Sequence, residues 1–204
     1  MKRILILGVI ACACQADAID LFSNFGPGET YSNGGFGIWG TQTTGVNSAA
    51  AGGFTSGGSA AVGRLRMGLL QRVPGVVRIQ LRTDSGGVFG SVLETWTISS
   101  APTEFGSSLV LESVGHPILT AGQNYWITAE PTDNTAATSY VWFGAAPDSV
   151  GPFAQINGVF GQQWTYYNQA RPAFAVEAVP EPATLAILTC GLGLLTRRSR
   201  RERR

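Results

Sequence analysis

Cysteine is missing from the body of this 204-residue chain. Its three cysteines, Cys12, Cys14 and Cys190, lie near the two ends. The intervening region therefore holds no disulfide framework, and its stability must come from burial and hydrogen bonding. Histidine occurs once, at position 116, so the four soft ligands of a structural zinc site cannot be assembled. Charge is sparse, at 13% of residues. Between residues 19 and 179 six arginines face ten carboxylates, a net of −4, and the whole-chain value of +1 comes from the ends. That balance removes the electrostatic basis for nucleic-acid binding. No G-x-S-x-G elbow is present to seat a nucleophilic serine. Helical periodicity is scarce between the ends.

Alternation, by contrast, is abundant. Leu65, Met67 and Leu69 alternate with Arg64, Arg66 and Gly68, and Val77, Ile79 and Leu81 with Arg78, Gln80 and Arg82. Leu93, Thr95 and Thr97 oppose Val92, Glu94 and Trp96; Leu109 and Leu111 oppose Val110 and Glu112. Tyr125, Ile127 and Ala129 oppose Trp126, Thr128 and Glu130; Tyr140 and Trp142 oppose Val141 and Phe143. Segments 162–167 and 173–178 complete the set. A period of two with one apolar face marks half-buried strands. Turn signals separate them: Asn33-Gly34, Val73-Pro74-Gly75, Asp84-Ser85-Gly86-Gly87, Ala121-Gly122, Pro131 to Asn134, and Asn157-Gly158. Residues 44–63, rich in Gly, Ala, Ser and Thr, are expected to form a flexible loop or a poor edge strand. The pattern predicts an all-β, antiparallel sandwich of one domain over 19–179, with no internal repeat. Arg64, Arg66, Arg78 and Arg82 lie on predicted strands, as one basic stripe or as a solvated outer face.

The two ends differ from this body. Met1-Lys2-Arg3 is a charged start, Ile4 to Ala13 is apolar, and Ala16-Asp17-Ala18 offers a cleavage site. This predicts a secretory signal peptide over 1–18, cut at the Ala16 and Ala18 positions. A competing reading takes Val9-Ile10-Ala11-Cys12 as a lipobox with Cys12 lipidated. At the other end Pro180, Glu181 and Pro182 hold the backbone extended, which suits capture by a processing enzyme. Ala183 to Thr196 then carries no charge, with Ala183, Leu185, Ile187, Leu188, Leu192, Leu194 and Leu195 as its apolar surface. As a helix it would span ~21 Å at roughly 1.5 Å per residue. That is short of a bilayer core of ~30 Å, unless local thinning and snorkelling arginines close the gap. Arg197, Arg198, Arg200 and Arg201 follow as a basic stop. The positive-inside rule keeps them cytoplasmic and places the body of the chain outside.

The run Val179 to Thr184, the short apolar stretch and the arginine cluster resemble the PEP-CTERM sorting signal of exported bacterial proteins. The resemblance covers residues 179–204. It implies recognition of Pro180, Glu181 and Pro182 by an exosortase-type membrane protease, after the export machinery has delivered the chain. It also implies anchoring in the inner membrane during processing, then a place at the cell surface or in an exopolysaccharide matrix. Over residues 20–178, the hairpin Val77 to Leu93 and the turn-strand Leu119 to Trp126 resemble "choice-of-anchor" domains. That resemblance implies a jelly-roll-like sandwich and a surface address, and no reaction; the reading of the two ends adds a flanking N-terminal signal helix and a C-terminal apolar helix. In such hairpins a proline commonly precedes the glycine, whereas this chain has Phe89.

Candidate chemistry in the body is thin. His116, next to Pro117, reads as a solvated turn residue. Glu94, Glu112 and Glu130 fall on predicted strands and would have to pair across a cleft to hydrolyse a glycoside. Asp84, Asp133, Asn134 and Asp148 sit in loops that suit structural calcium, although Asp84 is equally explained as a turn former. No catalytic set, metal site or other cofactor is specified. Aromatics remain: Trp39, Trp96, Trp126, Trp142 and Trp164, with Tyr166 and Tyr167. They fill a core or stack on sugars. Trp96 and Trp126 oppose the presumed inner residues and are expected to be exposed ligand contacts; Trp164 and Tyr166 share a face. The expectation is an exported, non-enzymatic surface or matrix protein, structural or adhesive among exopolysaccharide. The alternatives are a carbohydrate-binding module and a glycoside hydrolase.

Overall fold

The computed structural model describes residues 19–134, 136–145, 149–158 and 163–180. Several expected features lie outside them: Ala16 and Ala18, the lipobox Cys12, Asp148, Glu181, Pro182, the apolar residues Ala183, Leu185, Ile187, Leu188, Leu192, Leu194 and Leu195, and Arg197, Arg198, Arg200 and Arg201. Both flanking helices lie outside as well. No helix among the described residues is long and apolar enough to cross a membrane. Pro180 is described and exposed.

The described chain is all-β and antiparallel. Its strands, in order, are β1 Asp20–Ser23, β2 Gly35–Trp39, β3 Ser48–Thr55, β4 Ala60–Met67, β5 Leu69–Val73, β6 Val77–Asp84, β7 Phe89–Ile98, β8 Leu109–Glu112, β9 Ile118–Leu119, β10 Asn124–Pro131, β11 Ser139–Phe143, β12 Val150–Asn157, β13 Thr165–Ala170 and β14 Phe174–Ala178. One sheet runs β1-β14-β4-β8, with β9 against the start of β4. The other contains β5-β11-β2-β3-β10-β6-β7, with β12 paired to β3 and carrying β13. Ile19–Val179 form one compact unit.

Inward side chains of both sheets share a single core. Leu65, Met67, Phe174 and Val176 meet Ile79, Leu81, Tyr125, Ile127 and Trp142. Val77, Ile79 and Leu81 have no exposure at all, as their alternation predicts. Three sequence expectations need correction. Leu65 and Met67 belong to β4, but Gly68 ends that strand and Leu69 opens β5 in the other sheet. The face assigned to β7 is reversed: Trp96 pairs with Ile79 and Ile98 with Val77, so that face is the inner one. Irregular register near Leu81 and Arg82 shifts the pattern of β7. The Gly/Ala-rich segment is neither loop nor edge. It contains β3, buried from Ala49 to Phe54 between β10 and β12. Small residues are required there because both faces are covered. A Cβ on Gly52 would come within 2.6 Å of the Phe174 ring, and one on Gly53 within 2.6 Å of Pro152.

The four arginines do not form one stripe. Arg64 and Arg66 lie on β4 and grip Glu177 of β14, whose side chain is only 2% exposed. Arg66 also reaches Glu29. Arg78 and Arg82 lie on β6 of the other sheet. Arg78 pairs with Glu130 at 2.9 Å. Arg82 donates to the Gly90 carbonyl and lies over the Phe89 ring.

Candidate functional site: an aromatic pocket on the larger sheet

Trp126 is not exposed. Its outward-pointing side chain on β10 is 2% accessible, because a second, smaller apolar cluster covers that face of the sheet. Ala51 of β3 and Ala154 of β12 form the floor beside it, and Phe89, Trp164 and Tyr166 pack over it. Phe89 is the hub. Its ring meets Trp126 at 5.1 Å, Trp164 at 4.9 Å and Tyr166 at 5.2 Å, all edge to face. This geometry suits the aromatic quadrupoles. The residue standing where the resembling hairpins carry proline is therefore the one that closes the cluster. Trp96 is buried as well, at 9% exposure, on the opposite face of the sheet. Its indole N–H donates to the Glu112 carbonyl at 2.8 Å and so ties β7 to β8 across the sandwich.

Sequence reasoning therefore placed Trp126 beside the right surface and missed its cover. Trp164 and Tyr166 do share one face, as their spacing predicts, and they belong to that cover.

The cluster borders a pocket of about 130 Å³, lined in part by Trp126, Tyr166, Tyr167, Asp84, Asn124 and Pro152. Tyr167 is 42% exposed. Asp84 closes the β6–β7 turn by accepting the Gly87 N–H at 3.0 Å. Its other oxygen accepts the indole N–H of Trp126 at 2.7 Å. Asn124 accepts the Thr55 hydroxyl at 2.7 Å. The volume is well below the ~300–1,000 Å³ of drug-sized ligand sites. It suits one small ring lodged against tyrosine, with carboxylate and amide groups at the side. Behind the pocket Arg171 donates to the Gly53 carbonyl and the Ser149 hydroxyl, and stacks over Phe22. Burial pulls the pKa of Arg171 below the ordinary arginine value.

The other candidate groups are engaged elsewhere. Glu94 accepts hydrogen bonds from the Ser113 hydroxyl and from the Val114 and Gly115 amides. Glu130 holds Arg78, and Glu112 stands on β8 of the smaller sheet. Glu94 and Glu130 are thus each committed to partners of their own. His116 sits exposed in a turn at φ 44° and donates from Nδ1 to the Val62 carbonyl. Among the described residues no group of three or more His, Cys, Asp or Glu side chains gathers to hold a metal ion. Asp133 accepts from the Ala136 amide through its own carbonyl, and the Asn134 carbonyl accepts from Thr41.

No protein-family model matches this chain, and no curated protein matches it. Among solved structures, an infectious bursal disease virus VP2 subviral particle shares 12% identity at a TM-score of 0.25. The match covers 98% of this chain and 54% of that one, so the chain spans about half the length of the viral protein. A superposition at that score carries no argument about fold or function.

Proposed function

We propose that residues 19–179 are an exported, non-enzymatic display domain, a jelly-roll-like sandwich that contacts exopolysaccharide through the Trp126–Tyr166–Tyr167 pocket. In this reading the export machinery carries the chain out. The tail resembling PEP-CTERM holds it at the inner membrane, and an exosortase-type protease cuts near Pro180-Glu181-Pro182. The product stays at the cell surface or in the matrix, in a structural or adhesive role. The observation that carries the glycan contact is the pocket itself, with an exposed tyrosine face beside a carboxylate and an amide. That combination of apolar wall and few polar groups is how small-molecule sites are generally built. The same observation favours the carbohydrate-binding module as the second reading. Hydrolysis is disfavoured because Glu94 and Glu130 are committed to separate partners.

The test is titration of the 19–179 domain with purified bacterial exopolysaccharides, beside Tyr167→Ala. Tyr167 is 42% exposed and its ring meets the buried Phe153, so the thermal melt of the variant is measured beside the titration. Saturable binding weakened about tenfold, or ~1.4 kcal/mol, supports the pocket. Undiminished binding by the variant removes the pocket from the contact, and absence of binding removes the glycan reading. Mass spectrometry of the surface form tests the address independently: a new C-terminus near residues 179–182 is expected.

A further inference from the structure

The three most exposed large apolar side chains among the described residues are Val114 at 87%, Ile118 at 75% and Ile19 at 64%. Val114 and Ile118 are four residues apart and Ile19 is remote in sequence; the strand pairing brings Ile19 to the same end of the smaller sheet as the other two. Ala178 donates its N–H to the Ile19 carbonyl, and Val179 donates to the Ala61 carbonyl, each at 2.9 Å. Ala61 pairs in turn with Ile118 of β9. Ser113, next to Val114, donates to the Gly63 carbonyl at 2.8 Å. Ile19, Val179, Ile118 and Val114 therefore stand along successive chains at the end where the strand leading to Pro180 stops. Val179 is itself 39% exposed.

Val114 is not exposed by looseness. Glu94 holds the turn through Ser113, Val114 and Gly115, His116 N–H donates to the Ser113 hydroxyl, and His116 Nδ1 is fixed on Val62. The turn is braced with its valine pointing out. Together with Ile118, Ile19 and Val179 on the adjoining chains it makes an exposed apolar end, the kind of surface that marks an interaction site.

We infer that this end of the domain rests on the lipid headgroup boundary, with Val114, Ile118, Ile19 and Val179 as its contact. The occupant follows from chain length. Only two residues, Glu181 and Pro182, lie between Pro180 and Ala183, where the uncharged segment begins, a path of three residue steps. Fully extended they reach about 10 Å, at ~3.3–3.6 Å per residue. A chain anchored from Ala183 onward would therefore hold Val179, and the exposed side chains beside it, near the bilayer. Aliphatic side chains there enter the ~5–10 Å boundary layer that interfacial elements occupy. The inference rests on the proposed reading of the tail as membrane-inserting.

The test uses residues 19–204 in phosphatidylethanolamine/phosphatidylglycerol vesicles that contain headgroup-nitroxide lipids, in a C190S background. An environment-sensitive fluorophore is placed singly at V114C, I118C, V76C or L188C. Val76, which at 39% is as exposed as Val179, is the control; it directly precedes β6, and its carbonyl accepts the Thr132 N–H. Quenching and a blue shift at 114, 118 and 188, with none at 76, are expected. Quenching at 188 but not at 114 or 118 overturns the inference and leaves the tail reading standing. Absence of quenching at 188 overturns the tail reading, and the inference with it. Equal quenching at 76 and 114 also overturns it, because the domain would then lie on the membrane without orientation.

Discussion

Asp84 joins the β6–β7 turn to the aromatic cluster, and a double-mutant cycle with Trp126 measures that link. Its carboxylate accepts the indole N–H at 2.7 Å and the Gly87 N–H at 3.0 Å. Asp84→Ala frees both donors. Gly87 is exposed, so water replaces that bond at little cost. The indole N–H belongs to a side chain only 2% accessible, so its partner is not replaced so readily. A hydrogen bond to a charged group contributes about 1.5–3 kcal/mol, and the pocket beside this one argues for the lower value. Trp126→Phe removes the donor while keeping a ring against Phe89 and Tyr166. The cycle of single and double variants should show coupling of about 1.5 kcal/mol, read as urea unfolding of the 19–179 domain by far-UV circular dichroism. Thermal melts should lose about 3–6 °C for that term in a domain of this size. Additivity within about 0.5 kcal/mol would refute the bond and leave Asp84 as a turn former only.

Two further predictions concern the smaller sheet. Glu177→Ala leaves Arg66, whose side chain is 14% exposed, with Glu29 and the more distant Asp20, while the more exposed Arg64 returns to water. Chemical denaturation should show a loss of about 3 kcal/mol, the lower end for breaking a buried pair, whereas Glu29→Ala on the rim should cost less than about 1 kcal/mol. Asp20→Asn should behave oppositely. Burial, then the charge of Glu177, raises the Asp20 carboxyl above its ordinary value of 3.8. The folded state therefore holds that proton more tightly than the unfolded one. The penalty for ionising Asp20 is absent below 3.8, grows as the unfolded chain ionises first, and is complete above the folded pKa. The variant should melt higher than wild type at pH 7, with the gain shrinking as the pH falls through the carboxylate range. A gain independent of pH would refute the assignment.

The strands were legible where one face meets water and the register is regular; β7, whose outer face is open, was misread because its register shifts near Leu81 and Arg82. Val77, Ile79 and Leu81 are inward and Arg78 and Gln80 outward, because β6 has one face in the core and the other open. Legibility failed where a second layer covers the outer face. Alternation reports that two faces differ, not whether the less apolar one is also covered. Trp126 and β3 suffer the same error from the same cause. The cover over them comes from Phe89 and from Trp164 and Tyr166 near β13, remote in sequence. Two local signals did exist: an aromatic directly after the Asp84 to Gly87 turn, and two rings spaced by two at 164 and 166. Neither reveals its partner without the pairing of β12 to β3. The apolar end is less legible still. Ile19 reaches the end that carries Val114 and Ile118 only through the pairing of β1, β14, β4 and β9.

Pairing also relates the pocket to that end. Thr55 closes β3 beside Asn124 on the pocket rim, and Ser56 to Ser59 lead directly into Ala60 and Ala61. Ser56 exchanges backbone hydrogen bonds with Gln123 and Gly122, and Gly57 donates to Leu21. The pocket mouth and the apolar end therefore flank one short loop. A domain held down by its tail would keep the pocket near the headgroups, out of reach of a bulky polysaccharide, and cleavage near Pro180 would release both. Polysaccharide binding should accordingly be stronger for the free 19–179 domain than for residues 19–204 held in vesicles, with short oligosaccharides discriminating less between the two. Surface plasmon resonance on captured vesicles and on captured domain makes the comparison. Equal affinity for the long polymer in both forms would separate the pocket from the membrane-facing end and break the proposed coupling between processing and binding.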